Sequence, residues 1–396
     1  MASRFCNMPF NALELSPDGT CQVCCKIEKE IKKPDGTKFN LVRDQLDDVW
    51  NSEDINLLRQ KFLNGEEPIE CHKCWVEEST GNFSLRQQTL NTSVNIQNPT
   101  PSYVSLKLSN KCNLACRICG PHLSSLWEQQ YKKNNMDLGD KEYFLHVKDD
   151  KLTSGNNSTF RRWAPGFKHV LLYGGEPLIN QEVLEFLDFC VDTHIAKNID
   201  LVLNTNGTIC NDTIISKLNQ FKRVALYLSI DDIGERFEYQ RWPARWDKIS
   251  ENIRKFCSLN SPFDVKFYPT FSILNTLQLK EILDGLSQFK VPINLTNIIH
   301  APAHLALRSA SPALKEQMIK SIEAIDFSRY QLDGEMDYSS IFIKNILIPT
   351  PEEFPTQKDW YITFRRILDQ SDSIRGQNFK SFFPEMHKIL ELEFAE

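Results

Sequence analysis

Val104-Ser-Leu-Lys-Leu-Ser-Asn-Lys-Cys-Asn-Leu-Ala-Cys-Arg-Ile-Cys119 sets an apolar run, Val104–Leu108, just ahead of three thiols, Cys112, Cys116 and Cys119. A short β-rich run followed by polar, turn-forming residues reads as a strand running into a loop. Thiolates are soft donors suited to iron–sulfur clusters or zinc, and a four-iron cube held wholly by protein takes four of them. Three on one short loop would leave one iron of such a cube without a protein ligand, and an open coordination position is where chemistry can occur.

The bounds set by composition agree with a folded protein of more than one domain. The chain has 396 residues, 41% of them hydrophobic, enough for a sizeable core. No stretch approaches the roughly 20 apolar residues of a membrane span. The start, Met1-Ala-Ser-Arg-Phe-Cys-Asn7, lacks the apolar core of a signal peptide, so a cytoplasmic protein without a membrane partner is expected. In that reducing compartment, twelve cysteines point to metal rather than disulfides. A net charge of -6 gives no general attraction to phosphate backbones, so no nucleic-acid partner is expected.

Apolar, β-rich runs recur at Val104–Leu108, His169–Tyr173, Ile199–Leu203, Val224–Ile230, Val265–Ile273 and Ile293–Ile299. Connections of a dozen residues or more between them read as parallel crossovers. Gln181–Ala196 and Ile249–Leu259 carry helical spacing suited to that role. The expectation is an α/β fold: a partial (β/α)6 TIM-like barrel over residues 99–303, an N-terminal cysteine-rich domain over 1–98 and a helical C-terminal extension over 304–396. In the first of these, Ser16-Pro-Asp-Gly19 and Lys33-Pro-Asp-Gly36 are turn signals for short hairpins, Glu53–Phe62 reads as a helix, and Thr89–Pro101 as a linker. In the last, Ala313–Ile325 and Lys380–Phe394 read as helices.

A second signal follows the second expected strand, in Leu171-Leu-Tyr-Gly-Gly-Glu-Pro177. Two glycines let a ligand approach the backbone closely, and the exposed carbonyls and the carboxylate of Glu176 can accept hydrogen bonds from an ammonium group. Taken alone, Gly174-Gly175-Glu176-Pro177 is equally a turn.

One β/α unit after a C-x3-C-x2-C loop, however, this motif resembles the radical S-adenosylmethionine (SAM) superfamily. The resemblance implies a 4Fe-4S cluster on Cys112, Cys116 and Cys119, whose open iron chelates SAM, with Gly174, Gly175, Glu176 and Pro177 contacting the SAM amino group. It also implies SAM contacts from Asn206, in Asn204-Thr-Asn-Gly-Thr208, and from Ser229. Arg241 matches an arginine that follows the fourth strand in relatives, and a guanidinium can hold the SAM carboxylate bidentately; a surface arginine is the plain alternative. Ile118 departs from the pattern, since relatives carry an aromatic residue before the third cysteine.

The order Cys6, Gly19, Cys24, Cys71-His-Lys-Cys74 resembles the SPASM and twitch auxiliary-cluster domains, which ordinarily follow the barrel and here precede it. The implied ligands of a second, auxiliary 4Fe-4S cluster are Cys6, Cys24, Cys71 and Cys74; a zinc knuckle is the competing use of such a set. Cys21 and Cys25 flank Cys24 and can substitute for it, while Cys190, Cys210 and Cys257 read as core thiols. His72 reads as solvent-facing, His122 as near a substrate cleft and His169 as a strand cap; His300 and His304 stay open, and Trp163, Trp242 and Trp246 read as loop anchors.

What the resemblance implies chemically is reductive cleavage of SAM to methionine and a 5′-deoxyadenosyl radical. That radical would abstract hydrogen from a substrate, for which a peptide or protein side chain leads. The alternatives are oxidation or epimerisation of a small sugar- or nucleotide-like metabolite, and a non-catalytic iron–sulfur or zinc binding protein. The implied partners are that substrate and a low-potential electron donor such as flavodoxin or ferredoxin.

Overall fold

The computed structural model describes residues 4–394 apart from 28, 42, 80–83, 91, 137–157 and 351. Its strands are β1 (Ala12–Leu15), β2 (Cys21–Gln22), β3 (Tyr103–Leu106), β4 (His169–Leu172), β5 (Asp200–Thr205), β6 (Arg223–Leu228) and β7 (Phe263–Phe267). They form one seven-stranded sheet in the order β2-β1-β3-β4-β5-β6-β7. β1 pairs antiparallel with β2, whereas the β1–β3, β3–β4 and β4–β5 pairs are parallel. Leu13, Val104, Val170 and Leu201 lie in one register row and Leu106, Leu172 and Leu203 in another two residues on, so these buried residues share one face of the sheet.

Five of the six expected strands form. The sixth, Ile293–Ile299, makes isolated bridges instead of a ladder, Phe267 to Ile293, Phe271 to Ile298 and Ile293 to Leu332. Its backbone is diverted locally: Asn294 Oδ1 accepts the Thr296 N–H at 2.9 Å, a side-chain bond that competes with a sheet ladder. β7 stops at Phe267, ahead of Pro269, which has no N–H to donate, and Ser272 then caps a helix at Ile273–Thr276. The turn at Ser16–Gly19 does join a hairpin, with the Gly19 N–H donating to Ser16 O at 2.9 Å. That hairpin is the β1–β2 pair.

The chain divides into two compact units. One comprises Met1–Lys111, Leu145–Leu203 and Asp212–Val224. In it Ser52 caps the helix Glu53–Leu63, and Asn180 caps Gln181–Asp192, whose Val183, Phe186, Leu187 and Cys190 form the buried stripe. Trp163 is an anchor there, its Nε1 donating to Asp47 Oδ1 at 3.0 Å.

The other unit comprises Cys112–Phe144, Asn204–Asn211 and Ala225–Glu396. Its C-terminal part is helical, with Pro312–Glu323, Tyr338–Leu347, Gln357–Arg375 and Pro384–Phe394 packing on buried Met318, Phe342, Trp360 and Phe364. The expected helix over 380–394 is split into Phe379–Phe382 and Pro384–Phe394, because Pro384 favours a helix start. Among the described residues, no helix is long and apolar enough to cross a membrane.

Candidate metal centres

In the second unit the three-cysteine loop is irregular but tightly held. The Ala115 N–H donates to Trp242 O at 2.7 Å, the Arg117 N–H to Gln240 O at 2.8 Å and the Cys119 N–H to Cys116 O at 3.0 Å. Trp127 Nε1 donates to Cys116 O at 2.6 Å, and Ser124 Oγ to Leu114 O at 2.6 Å. Ser124 also caps the helix Ser125–Asn134 that follows, so the loop is fixed at both ends.

N–H donors reach the sulfurs. Arg241 Nη1 lies 3.9 Å from Cys116 Sγ, Asn206 Nδ2 3.9 Å from Cys112 Sγ, and the Leu114 N–H 3.5 Å from Cys112 Sγ. Burial pushes the Cys116 thiol up in pKa while the Arg241 cation opposes it. Burial also raises Cys119, with Cys116 and Cys112 adding to the rise. Thiols that burial keeps neutral become thiolates when a cationic group meets their charge, and a cluster supplies one.

Arg241 is more committed than sequence reading assumed. Its Nε and Nη2 grip Asp231 at 2.8 and 2.9 Å, and both residues are buried. Asp231 further accepts the Thr270 N–H at 2.8 Å. Burial would lower the arginine's pKa, but Asp231 and Cys116 hold it well above the usual value. The edge left over is the one that faces Cys116. Asn206 is likewise drawn to the loop, donating to Asn113 Oδ1 at 3.0 Å, while Ser229 follows β6, its N–H donating to Thr205 O at 2.9 Å. Beside Cys119 opens a cleft lined by Arg117, Ile118, Gly120, His122, Leu123, Trp127, Pro302, His304 and Ile367 among others.

In the first unit, Gly174 and Gly175 both take positive φ, +87° and +59°. A Cβ at Gly175 would stand 2.3 Å from the carbonyl oxygen of Lys111, the residue that precedes Cys112 in the chain. The Glu176 N–H donates to that same oxygen at 2.8 Å. Glu176 is fully buried, and its carboxylate accepts the Leu178 N–H at 3.1 Å, capping the turn Pro177–Ile179. The groups of this motif suited to a ligand's ammonium are therefore backbone carbonyls.

Also in the first unit, Cys6, Cys24, Cys71 and Cys74 line one recess, together with Met8, Lys26, Ile27, Phe62, Leu85 and Arg86. Cys24 is the member of its run that lines it; Cys21 is buried with its thiol towards Gly19 O at 3.7 Å, and Cys25 is exposed. Burial raises all four thiols, Cys6 and Cys71 to about 12. Arg86, buried and bidentate to Glu78, and Lys26, paired with Glu77, set two cations at the recess.

Among the described residues, no three His, Cys, Asp or Glu side chains converge as a single metal ion would need. Four thiols lining one recess are the soft donor set that an iron–sulfur core or a zinc ion takes. Lys26, Arg86, Asp231 and Trp127 were not foreseen, because no motif marks them.

The Radical SAM superfamily profile matches residues 106–284, and that of SPASM, an iron-sulfur cluster-binding domain, matches residues 6–75. A GTP 3′,8-cyclase of Clostridium perfringens is 30% identical over 60% of this chain and 69% of its own length. That of Aliarcobacter butzleri is 22% identical over 58% and 64%. An uncharacterized protein of Methanocaldococcus jannaschii is 27% identical over 33% of this chain and 39% of its own. The chain thus spans less than two thirds of the length of the latter two relatives. Among solved structures, Streptococcus suis SuiB has a TM-score of 0.39 at 14% identity, covering 88% of this chain and 76% of that one. anSMEcpe with bound AdoMet has a TM-score of 0.36 at 16% identity, covering 55% and 58%. A Radical SAM domain implies a 4Fe-4S cluster and SAM, and a SPASM domain implies auxiliary iron–sulfur binding. With its three-cysteine loop inside the first match and its four-cysteine recess inside the second, the chain belongs to the radical SAM superfamily.

Proposed function

We propose that the protein is a radical SAM enzyme that acts on a peptide or protein side chain. The observation that carries the radical chemistry is the loop of Cys112, Cys116 and Cys119, three thiols met by N–H donors from Arg241, Asn206 and Leu114. When bound there, a 4Fe-4S cluster and SAM supply reductive cleavage to methionine and a 5′-deoxyadenosyl radical. The chain's residues bind and orient. Cys112, Cys116 and Cys119 hold iron, Arg241 and Asn206 direct N–H groups at the ligand sulfurs, and the carbonyls of Gly174 and Gly175 accept from the SAM ammonium. Cys6, Cys24, Cys71 and Cys74 hold the auxiliary cluster. On this reading residues 1–98, 99–303 and 304–396 are the auxiliary domain, the core and a helical extension. The enzyme is cytoplasmic and takes electrons from a low-potential donor such as flavodoxin or ferredoxin.

The cleft beside Cys119 supports the peptide substrate. It is a largely apolar cleft with a few polar groups, the usual make-up of a ligand site. The one Lys or Arg that lines it is Arg117, whose charge is already met by Asp372. A lining of Ile118, Leu123, Trp127, Pro302 and Ile367 suits a side chain better than a polyphosphate. The second reading, a nucleotide substrate, rests on the relatives named GTP 3′,8-cyclase.

Anaerobic reconstitution with iron and sulfide, then dithionite and SAM, tests the proposal: 5′-deoxyadenosine should form, and Cys116→Ala should abolish it. A reducible cluster that yields none of that nucleoside would refute the enzyme reading. Saturable binding of GTP at concentrations where SAM binds would favour the nucleotide over the peptide.

A further inference from the structure

Three arginines gather at the loop of Cys112, Cys116 and Cys119, and two of them are neutralised by carboxylates. Asp231 holds Arg241, and Asp372 holds Arg117. The third is Arg375, the last residue of the helix Gln357–Arg375. It is 9% exposed, and its Nε and Nη2 donate, at 3.3 and 3.1 Å, to the neutral amide oxygen of Gln130. Its Nη1 is buried with no acceptor among the described residues.

The guanidinium lies over the rings of Trp127 and Trp242, 4.7 and 5.5 Å from their centroids. These are the two tryptophans that hold the cysteine loop, through Cys116 O and the Ala115 N–H. Stacking on aromatic faces offsets part of the cost of burying a cation. A buried charge without an opposite charge nonetheless costs several kcal/mol. Burial drives Arg375 down to about 9, with Arg117 adding to the fall; Cys116 opposes it first, then Tyr239 and Asp372, whose carboxylate is already bonded to Arg117.

We infer that Arg375 is a positioning residue for the loop cluster: its unpaired charge is balanced by the cluster with its three thiolates, and it raises the reduction potential of that cluster. The inference rests on the cluster reading above. Net charge and hydrogen bonds around the sulfurs are what set the potential of a given cluster type. Each electron added makes the cluster–thiolate group more negative, so a cation nearby favours the reduced state. Arg241 and Arg117 contribute less, because each brings a carboxylate with it.

The test is a redox titration of the reconstituted protein, following the paramagnetic signal that changes on adding SAM, which separates the loop cluster from the auxiliary one. Arg375→Met is expected to lower the reduced-to-oxidised ratio at a fixed potential about tenfold, equivalent to about 59 mV downward for a one-electron couple. Arg375→Lys keeps the charge and should stay near the unaltered protein. Asp372→Asn leaves Arg117 without its carboxylate and should shift the potential upward. Lys358→Met, an exposed charge about 25 Å back along the same helix, should shift nothing.

A potential unchanged in Arg375→Met overturns the inference, as does an equal fall in Arg375→Lys, which would assign the effect to packing. Should Arg375→Met fail to hold iron, Asp372→Asn decides, and no upward shift there overturns it. If the unaltered protein carries no SAM-responsive signal, it is the cluster reading that fails first.

Discussion

Gly175 has little conformational freedom: its φ of +59° suits few side chains, and a Cβ would meet the Lys111 carbonyl at 2.3 Å. Gly175→Ala is expected to cost about 1–3 kcal/mol, by urea denaturation, from backbone strain alone. It should also weaken SAM binding in a titration of the reconstituted protein, because the shifted carbonyl is one proposed to accept from the SAM ammonium. The cysteines divide in the same testable way. Cys71→Ala should roughly halve bound iron by colorimetric assay while leaving part of the SAM cleavage, whereas Cys21→Ala should leave iron unchanged, its thiol being turned to Gly19 O. Loss of both iron pools from Cys71→Ala would show that the recess is not an independent centre. These residues were legible because coordination chemistry restricts both type and spacing. Asp231 and Arg375 were not, since a carboxylate or guanidinium that acts through a cysteine loop is fixed by tertiary packing and leaves no local pattern.

At the scale of elements, the apolar runs predicted strands wherever the flanking chemistry let a ladder form. Where Asn294 bonds Thr296 and Pro269 removes a donor, the runs remain apolar and buried without extending the sheet. The hairpin at Ser16–Gly19 was legible from its turn, but its pairing with β3 was not, because register between distant segments is set by packing. The helix Gln357–Arg375 is the clearest omission: its apolar residues Trp360, Phe364, Ile367 and Leu368 carry helical spacing but no motif drew attention to them. Trp360 is fully buried, donating from Nε1 to His304 O at 3.1 Å. Trp360→Ala should destabilise the protein by about 3–5 kcal/mol in denaturant unfolding. Thr356→Ala should cost only about 1 kcal/mol, since it removes one cap.

The molecule as a whole should lose stability on mild acidification through His304. Burial pushes its imidazole down to about 4, with Arg366 adding to the fall. An unfolded chain takes up that proton near pH 6.5 and the folded one near 4, so the folded state is favoured above pH 6.5 and loses ground as pH falls to 4. The difference amounts to up to about 3 kcal/mol. His304→Gln should flatten the stability–pH curve across that window, and an unaltered slope would mean that other groups set it. The recess of Cys6, Cys24, Cys71 and Cys74 has a further consequence for the protein's lifetime. With the proposed auxiliary cluster bound, four attachments to one inorganic core would tie together chain segments that are remote in sequence, much as a set of crosslinks would. Oxygen damage to that core would therefore do more than end turnover: it would untie the amino-terminal region and open it to proteases. Aerobic ageing should thus be followed by new tryptic cuts around Lys26 and Lys29, so that clearance of spent molecules is written into the same four sulfurs that assembled them.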